Sequence, residues 1–263
     1  MEFKDQMNQI IRLEAFPKRI ISLVPSQTEF LHDIGLTDEV VGITKFCIHP
    51  KEWFQTKNRV GGTKNVDFEK VKALKPDLII GNKEENTKAD IEALQEIAPV
   101  WMSDIYNLED ALEMMNSIGE MVDKSKETKV IVELIKTSSF DLLADIESTQ
   151  TKLKVAYLIW KDPYLAAAKT TFIDELLVYL NVENFFADQE RYPEWIPDSN
   201  NAPDLLFLSS EPYPFQEKHA IELQKVFPKT RIHLVDGEMF SWYGSRLQWS
   251  FDYFKKLKSE LIY

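Results

Sequence analysis

The sequence predicts an α/β protein made of two lobes, each with a parallel sheet, joined by one long helix. Three observations carry that reading. Short β-prone apolar runs alternate with helical stretches through the first 124 residues and again from residue 151 onward, the pattern of parallel-sheet α/β units. Between them Ser125 to Gln150 runs 26 residues without Pro or Gly. Its apolar residues, Val130, Ile131, Leu134, Ile135, Leu142, Leu143 and Ile146, keep close to the spacing of an amphipathic helix. At 1.5 Å per residue such a helix spans about 35 Å, enough to cross a small domain. Finally, Lys75-Pro76-Asp77-Leu78-Ile79-Ile80 is echoed by Ala202-Pro203-Asp204-Leu205-Leu206-Phe207, each followed by a Glu-containing polar loop. The expected division is 1–124, 125–150 and 151–263.

Taken in order, Arg19 to Val24 reads as a buried strand. Ser26-Gln27-Thr28-Glu29 then has the form of a capping box, in which the Ser oxygen and Glu carboxylate satisfy free amides at a helix start. That helix runs toward Gly35 and a strand follows at Val40 to Ile43. Asp67 to Leu74 is a helix stopped by Pro76, Asp77 to Ile80 a strand, Thr87 to Ile97 a helix, Val100 to Met102 a strand and Leu108 to Val122 a helix. The second half gives strands at Lys154 to Ile159, Leu205 to Leu208 and Arg231 to Val235, with helices at Thr171 to Leu180, Phe215 to Val226 and Ser245 to Leu261.

Composition narrows the function. The chain has 263 residues, of which 44% are hydrophobic and 12% aromatic, enough for a real core and too apolar for disorder. A net charge of -12 leaves no basic excess for phosphates, so nucleic acid is excluded as a general partner. One cysteine, Cys47, excludes an intramolecular disulfide framework. The opening residues show no export signal and no apolar run is long enough to span a bilayer. The expected compartment is the cytoplasm if the sequence is complete, and the periplasm or cell surface if a signal has been removed.

In parallel sheets, ligands bind beyond the carboxyl ends of the strands. Those positions carry Phe46, Cys47 and His49 after the second strand, Asn82, Glu84 and Glu85 after the third, Trp160 after the first strand of the second half, Glu211 and Tyr213 after the next, and Glu238, Trp242, Tyr243 and Arg246 after the last. The aromatics suit stacking and Arg246 an anion. Glu84 and Glu85 suit either a cationic group or a solvated loop. Cys47 and His49 could share a soft metal, or be a buried thiol and a capping imidazole; two ligands do not close a site. No Walker motif, G-x-G-x-x-G, G-x-S-x-G or H-E-x-x-H is present, which argues against an enzyme.

RIISLVPSQTE at 19 to 29, VVGITKFCIHP at 40 to 50 and VGGTKNVDFEKVKALKPDLII at 60 to 80, with the layout of the second half, resemble the cobalamin and iron-siderophore class of ABC-transporter solute-binding proteins. The resemblance runs from Arg19 over nearly all of the chain. It implies the helical-backbone, class III periplasmic-binding-protein architecture, a monomer without an intrinsic cofactor, and capture of a metal chelate, a cobalamin-like corrinoid or an iron-siderophore, in a cleft between two lobes. Phe46 matches an aromatic of the family's cobalamin cradle, and Glu238 and Arg246 fall near its acidic residue and arginine. Asn82 falls where that cradle has a tryptophan, so the implied cleft is more charged. The resemblance further implies docking on a permease through one Glu per lobe. Glu69 matches the first-lobe position, while Glu194 is a poor candidate for the second. Two other functions fit the loops: an intracellular enzyme or cofactor-handling protein on the same fold, and a protein- or peptide-binding module.

Overall fold

The computed structural model describes residues 1–144 and 152–261. Backbone contacts divide the chain into two compact units. The first comprises Met1–Ile105, Glu109–Leu134 and Tyr243–Arg246; the second comprises Tyr106–Leu108, Ile135–Trp242 and the chain from Leu247 onward. The long helix runs Ser125–Ala144, and the division falls inside it, between Leu134 and Ile135. The final stretch of the expected connector, 145–150 with Ile146, lies outside the described residues.

The first unit holds a five-stranded parallel sheet in the order Asn58–Arg59, Val40–Ile43, Ile20–Ser22, Leu78–Asn82, Val100–Ser103. The order reverses direction about Ile20–Ser22, so its topological switch point lies between that strand and Leu78–Asn82. Ile21, Leu23, Ile79, Val100 and Met102 pack on one face against Val71, Ile91 and Leu94 of the covering helices. Those helices begin on polar caps: Asp67 accepts from Lys70 N at 3.1 Å and Thr87 from Asp90 N at 3.1 Å.

In the second unit the sheet order is Glu194–Trp195, Tyr164–Ala166, Lys154–Trp160, Leu205–Ser209, Arg231–Val235, with Glu183–Asn184 also paired to Lys154–Trp160. Lys154–Trp160, Leu205–Ser209 and Arg231–Val235 are parallel, as expected, but Tyr164–Ala166 and Glu194–Trp195 add an antiparallel edge. These short strands carry no period-2 signal of their own; Trp195 stacks on Phe227, which fixes them by packing. The switch point of this sheet lies between Lys154–Trp160 and Leu205–Ser209.

One local expectation fails. The first helix runs Pro25–Asp33 with Val24 at its cap and no side-chain cap bond. Pro at the first helical position needs no partner for its nitrogen, so Ser26 falls inside the helix and the capping box does not form. Glu29 instead reaches Arg246, which lies 217 positions away in sequence. The hairpin of Glu2–Lys4 with Ile10–Arg12 and the short helix Lys51–Thr56 are additions to the elements expected from sequence. Among the described residues no helix is long and apolar enough to cross a membrane.

Candidate functional site

In the first unit, the loop after Val40–Ile43 is held from beneath. The Cys47 thiol is fully buried and lies 3.1 Å from both Thr28 Oγ1 and Thr44 Oγ1. Thr44 Oγ1 also accepts from Phe46 N at 3.3 Å. Burial pushes the thiol pKa up, against the two hydroxyl contacts, so the group stays protonated and unreactive. Its neighbours on the loop turn outward: Phe46 is 50% exposed and Ile48 is 44% exposed, while Lys45 Nζ stands 5.0 Å from the Phe46 ring centroid. Ile48 is not among the residues expected from sequence, although an apolar residue in a polar strand-end loop is a signal for it.

The loop after Leu78–Asn82 is organised by Asn82 itself. Its Oδ1 accepts from Glu84 N at 2.8 Å and Glu85 N at 3.1 Å, and its Nδ2 donates to Ser103 Oγ at 3.0 Å. Its backbone N–H donates to Asn86 Oδ1 at 2.9 Å. With side chain and backbone both committed, buried Asn82 shapes the turn. Glu84 and Glu85 are half-buried on it. Burial raises the Glu85 pKa, with Lys64 opposing, and its charge adds to the rise of the Cys47 pKa.

Arg246 is spent. It forms a fork on Glu29, Nε to Oε2 at 2.9 Å and Nη2 to Oε1 at 2.5 Å, with both residues under 9% exposed. Burial raises the Glu29 pKa, while Arg246 and then His49 pull it down, so His49 lies near this pair. The backbone of Tyr243–Arg246 comes close because Gly244 lacks a side chain: a Cβ there would sit 2.5 Å from Ser26 O. An open anion contact at Arg246 is therefore corrected to a structural ion pair, and Tyr243 is buried beside it.

The second unit gathers its aromatics at the switch point. Trp160, 41% exposed, meets Tyr213 edge to face with ring centroids 5.7 Å apart. Tyr213 is half-buried and packs on Phe215 at 4.8 Å. Glu211 faces another way: its Oε1 accepts from Ser241 Oγ at 2.6 Å and Trp242 Nε1 at 2.9 Å, which buries Trp242. Glu238 is half-buried in the first turn of the short helix Gly237–Ser241 that carries this contact.

Among the described residues no three His, Cys, Asp or Glu side chains cluster as metal ligands. Glu69 stands in the first turn of Phe68–Leu74 with its side chain 84% exposed, in an i,i+3 pair with Lys72 at 3.0 Å.

The periplasmic binding protein family matches the chain over residues 20–226. An uncharacterized ABC transporter substrate-binding lipoprotein of Bacillus subtilis, YvrC, is 31% identical over 193 residues, covering 70% of this chain. That stretch spans 60% of the lipoprotein, less than two thirds of its length. The vitamin B12-binding protein of Vibrio parahaemolyticus is 24% identical over 196 residues, 73% of this chain and 70% of that protein. Among solved structures, a possible iron-binding, periplasmic solute-binding protein of Staphylococcus epidermidis is similar in fold, with a TM-score of 0.78 at 24% identity over 95% of this chain and 100% of that one.

Proposed function

The chain belongs to the periplasmic binding protein family, and on that premise we propose that it is a non-catalytic receptor for a metal chelate, a corrinoid or an iron-siderophore, serving ABC-transporter uptake. The observation that carries this reading is the pair of large aromatic side chains, Phe46 and Trp160, left open at the carboxyl ends of parallel strands. A soluble protein places such rings in strand-end loops at a cost in exposed apolar surface, and contact with an apolar-faced ligand recovers it. The relatives named for vitamin B12 and for iron suggest the two ligand classes.

In this reading 1–124 and 151–263 act as lobes and 125–150 as their connector. Phe46 and Ile48 in the first unit, and Trp160 and Tyr213 in the second, are the side chains open to a ligand, with Glu84 and Glu85 in the one and Glu238 in the other supplying charge nearby. Cys47, Asn82, Glu211, Trp242, Tyr243 and Arg246 hold the loops that present them. Glu69 suits a permease arginine, because its exposed pair with Lys72 is worth at most about 1 kcal/mol and is readily exchanged.

Titration of the purified chain with cyanocobalamin, hemin and ferrichrome, followed by absorbance and calorimetry, tests the proposal. Saturable binding of one chelate at micromolar concentration, without turnover, is expected. Absence of binding to all three would contradict it.

A further inference from the structure

We infer that His219 is a positioning residue for the binding loop of the second unit, fixing Tyr213 so that its hydroxyl is left to donate to a ligand oxygen. The geometry stands on this chain's own residues; the ligand half rests on the chelate-binding reading and narrows it to chelates that present an oxygen acceptor at that point.

The backbone N–H of Gln216 points at His219 Nδ1 at 2.9 Å. An amide N–H only donates, so Nδ1 carries the lone pair and the neutral ring carries its proton on Nε2. Nε2 lies 3.4 Å from Tyr213 Oη, a long contact whose only consistent direction is from the ring to the phenol oxygen. Among the described residues no other hydrogen bond engages that hydroxyl, so its own hydrogen is uncommitted. The imidazole packs against both of these rings, 5.5 Å from Tyr213 and 5.6 Å from Phe215 by centroids. Trp160 in turn meets Tyr213 edge to face. The same ring therefore ends the loop, by accepting from Gln216 at the start of the helix Glu217–Val226, and orients the residue that the loop presents.

The arrangement needs a neutral imidazole. On its own helix His219 faces Lys218 and Glu222; from the loop after Lys154–Trp160 it faces Lys161 and Asp162. Lys161 is itself paired to Glu222 at 2.5 Å. Burial, followed by Lys161 and Lys218, lowers the His219 pKa, against Glu222 and Asp162. The sign follows directly: the bond to Gln216 is intact above the ordinary histidine value of about 6.5 and is lost as pH falls through the lowered value, when Nδ1 gains a proton and two N–H groups oppose each other.

A histidine that only capped the helix would leave Tyr213 and ligand affinity alone, so the test reads both. Long-range nitrogen NMR of the ligand-free full chain, assigned with His219→Asn, reports the tautomer. The Nε2–H form at pH 7.5, protonating below the usual histidine range, is expected; the Nδ1–H form or an imidazolium at that pH overturns the inference. The affinity for whichever of cyanocobalamin or ferrichrome binds is then measured across pH 7.5 to 5.5. Tyr213→Phe weakens it about threefold to tenfold at pH 7.5. The wild-type affinity falls with acidification, while that of His219→Asn, which keeps an acceptor for Gln216 and does not titrate, stays flat. Unchanged affinity in Tyr213→Phe, or an equal pH response in His219→Asn, overturns it. If neither chelate binds, the receptor reading fails, whereas the tautomer still decides whether His219 positions Tyr213.

Discussion

The two sheets use their switch points in opposite ways. In the first unit the switch-point loops turn polar side chains inward: Gln27 donates to Ser103, Ser103 is shared with Asn82, and Asn82 holds the amides of Glu84 and Glu85. In the second the corresponding loops hold Trp160 and Tyr213 against each other and partly open. At its strand ends the first unit's open apolar side chains are instead Phe46 and Ile48, after the neighbouring strand. The first unit thus commits polar side chains to holding its loops beside a small apolar face, and the second presents a cluster of rings. Residue type alone does not separate a side chain that binds from one that builds the loop.

The comparison breaks most readily at Glu29 and Arg246. Arg246→Met strands a buried carboxylate, and a loss of about 3–5 kcal/mol is expected from urea unfolding followed by tryptophan fluorescence. Adding Glu29→Gln to it recovers part of that loss, because the orphaned charge is gone. If Arg246→Met alone cost less than about 1 kcal/mol, the arginine would not be part of the frame and its role as an anion contact would return.

A smaller effect is expected at Asn82. Asn82→Ala removes the side-chain acceptor of the Glu84 and Glu85 amides and one donor to Ser103, at about 1–3 kcal/mol by the same unfolding measurement. The smallest is at Glu85, whose pKa is raised by burial. A raised carboxyl pKa means that the charged form is disfavoured in the folded chain, so wild type gains relative stability as pH falls through the raised value. Glu85→Gln is therefore more stable than wild type at pH 7, with an advantage that shrinks toward pH 4 in thermal melts. If Glu85→Gln binds chelate more weakly while melting higher, the carboxylate is retained for the ligand rather than for the fold.

Much of the fold was legible because its signals are local. Val40–Ile43 and Arg231–Val235 stand where β-branched runs put them, and Asp67 and Thr87 cap the helices that their position announces. The antiparallel edge was not, because Tyr164–Ala166 and Glu194–Trp195 are three and two residues long and are fixed by ring packing. The candidate site was legible as a set of loops and only partly as a set of contacts. The pattern that marks Ser26 to Glu29 as a capping box is the same whether or not an arginine waits 217 residues downstream. Asn82 and Arg246 look like ligand groups until their bonds are counted. Nothing in the sequence ties the helix residue His219 to the tyrosine six residues before it.

The most direct test of the account is the chelate affinity of the Phe46→Ala, Trp160→Ala double variant against wild type, measured by calorimetry with whichever chelate binds. Both rings are exposed, so the unfolding midpoint should hold while affinity falls about tenfold or more, the worth of two lost apolar contacts. An unchanged affinity in a folded double variant would contradict the claim that these open rings, rather than the buried polar frame, meet the ligand.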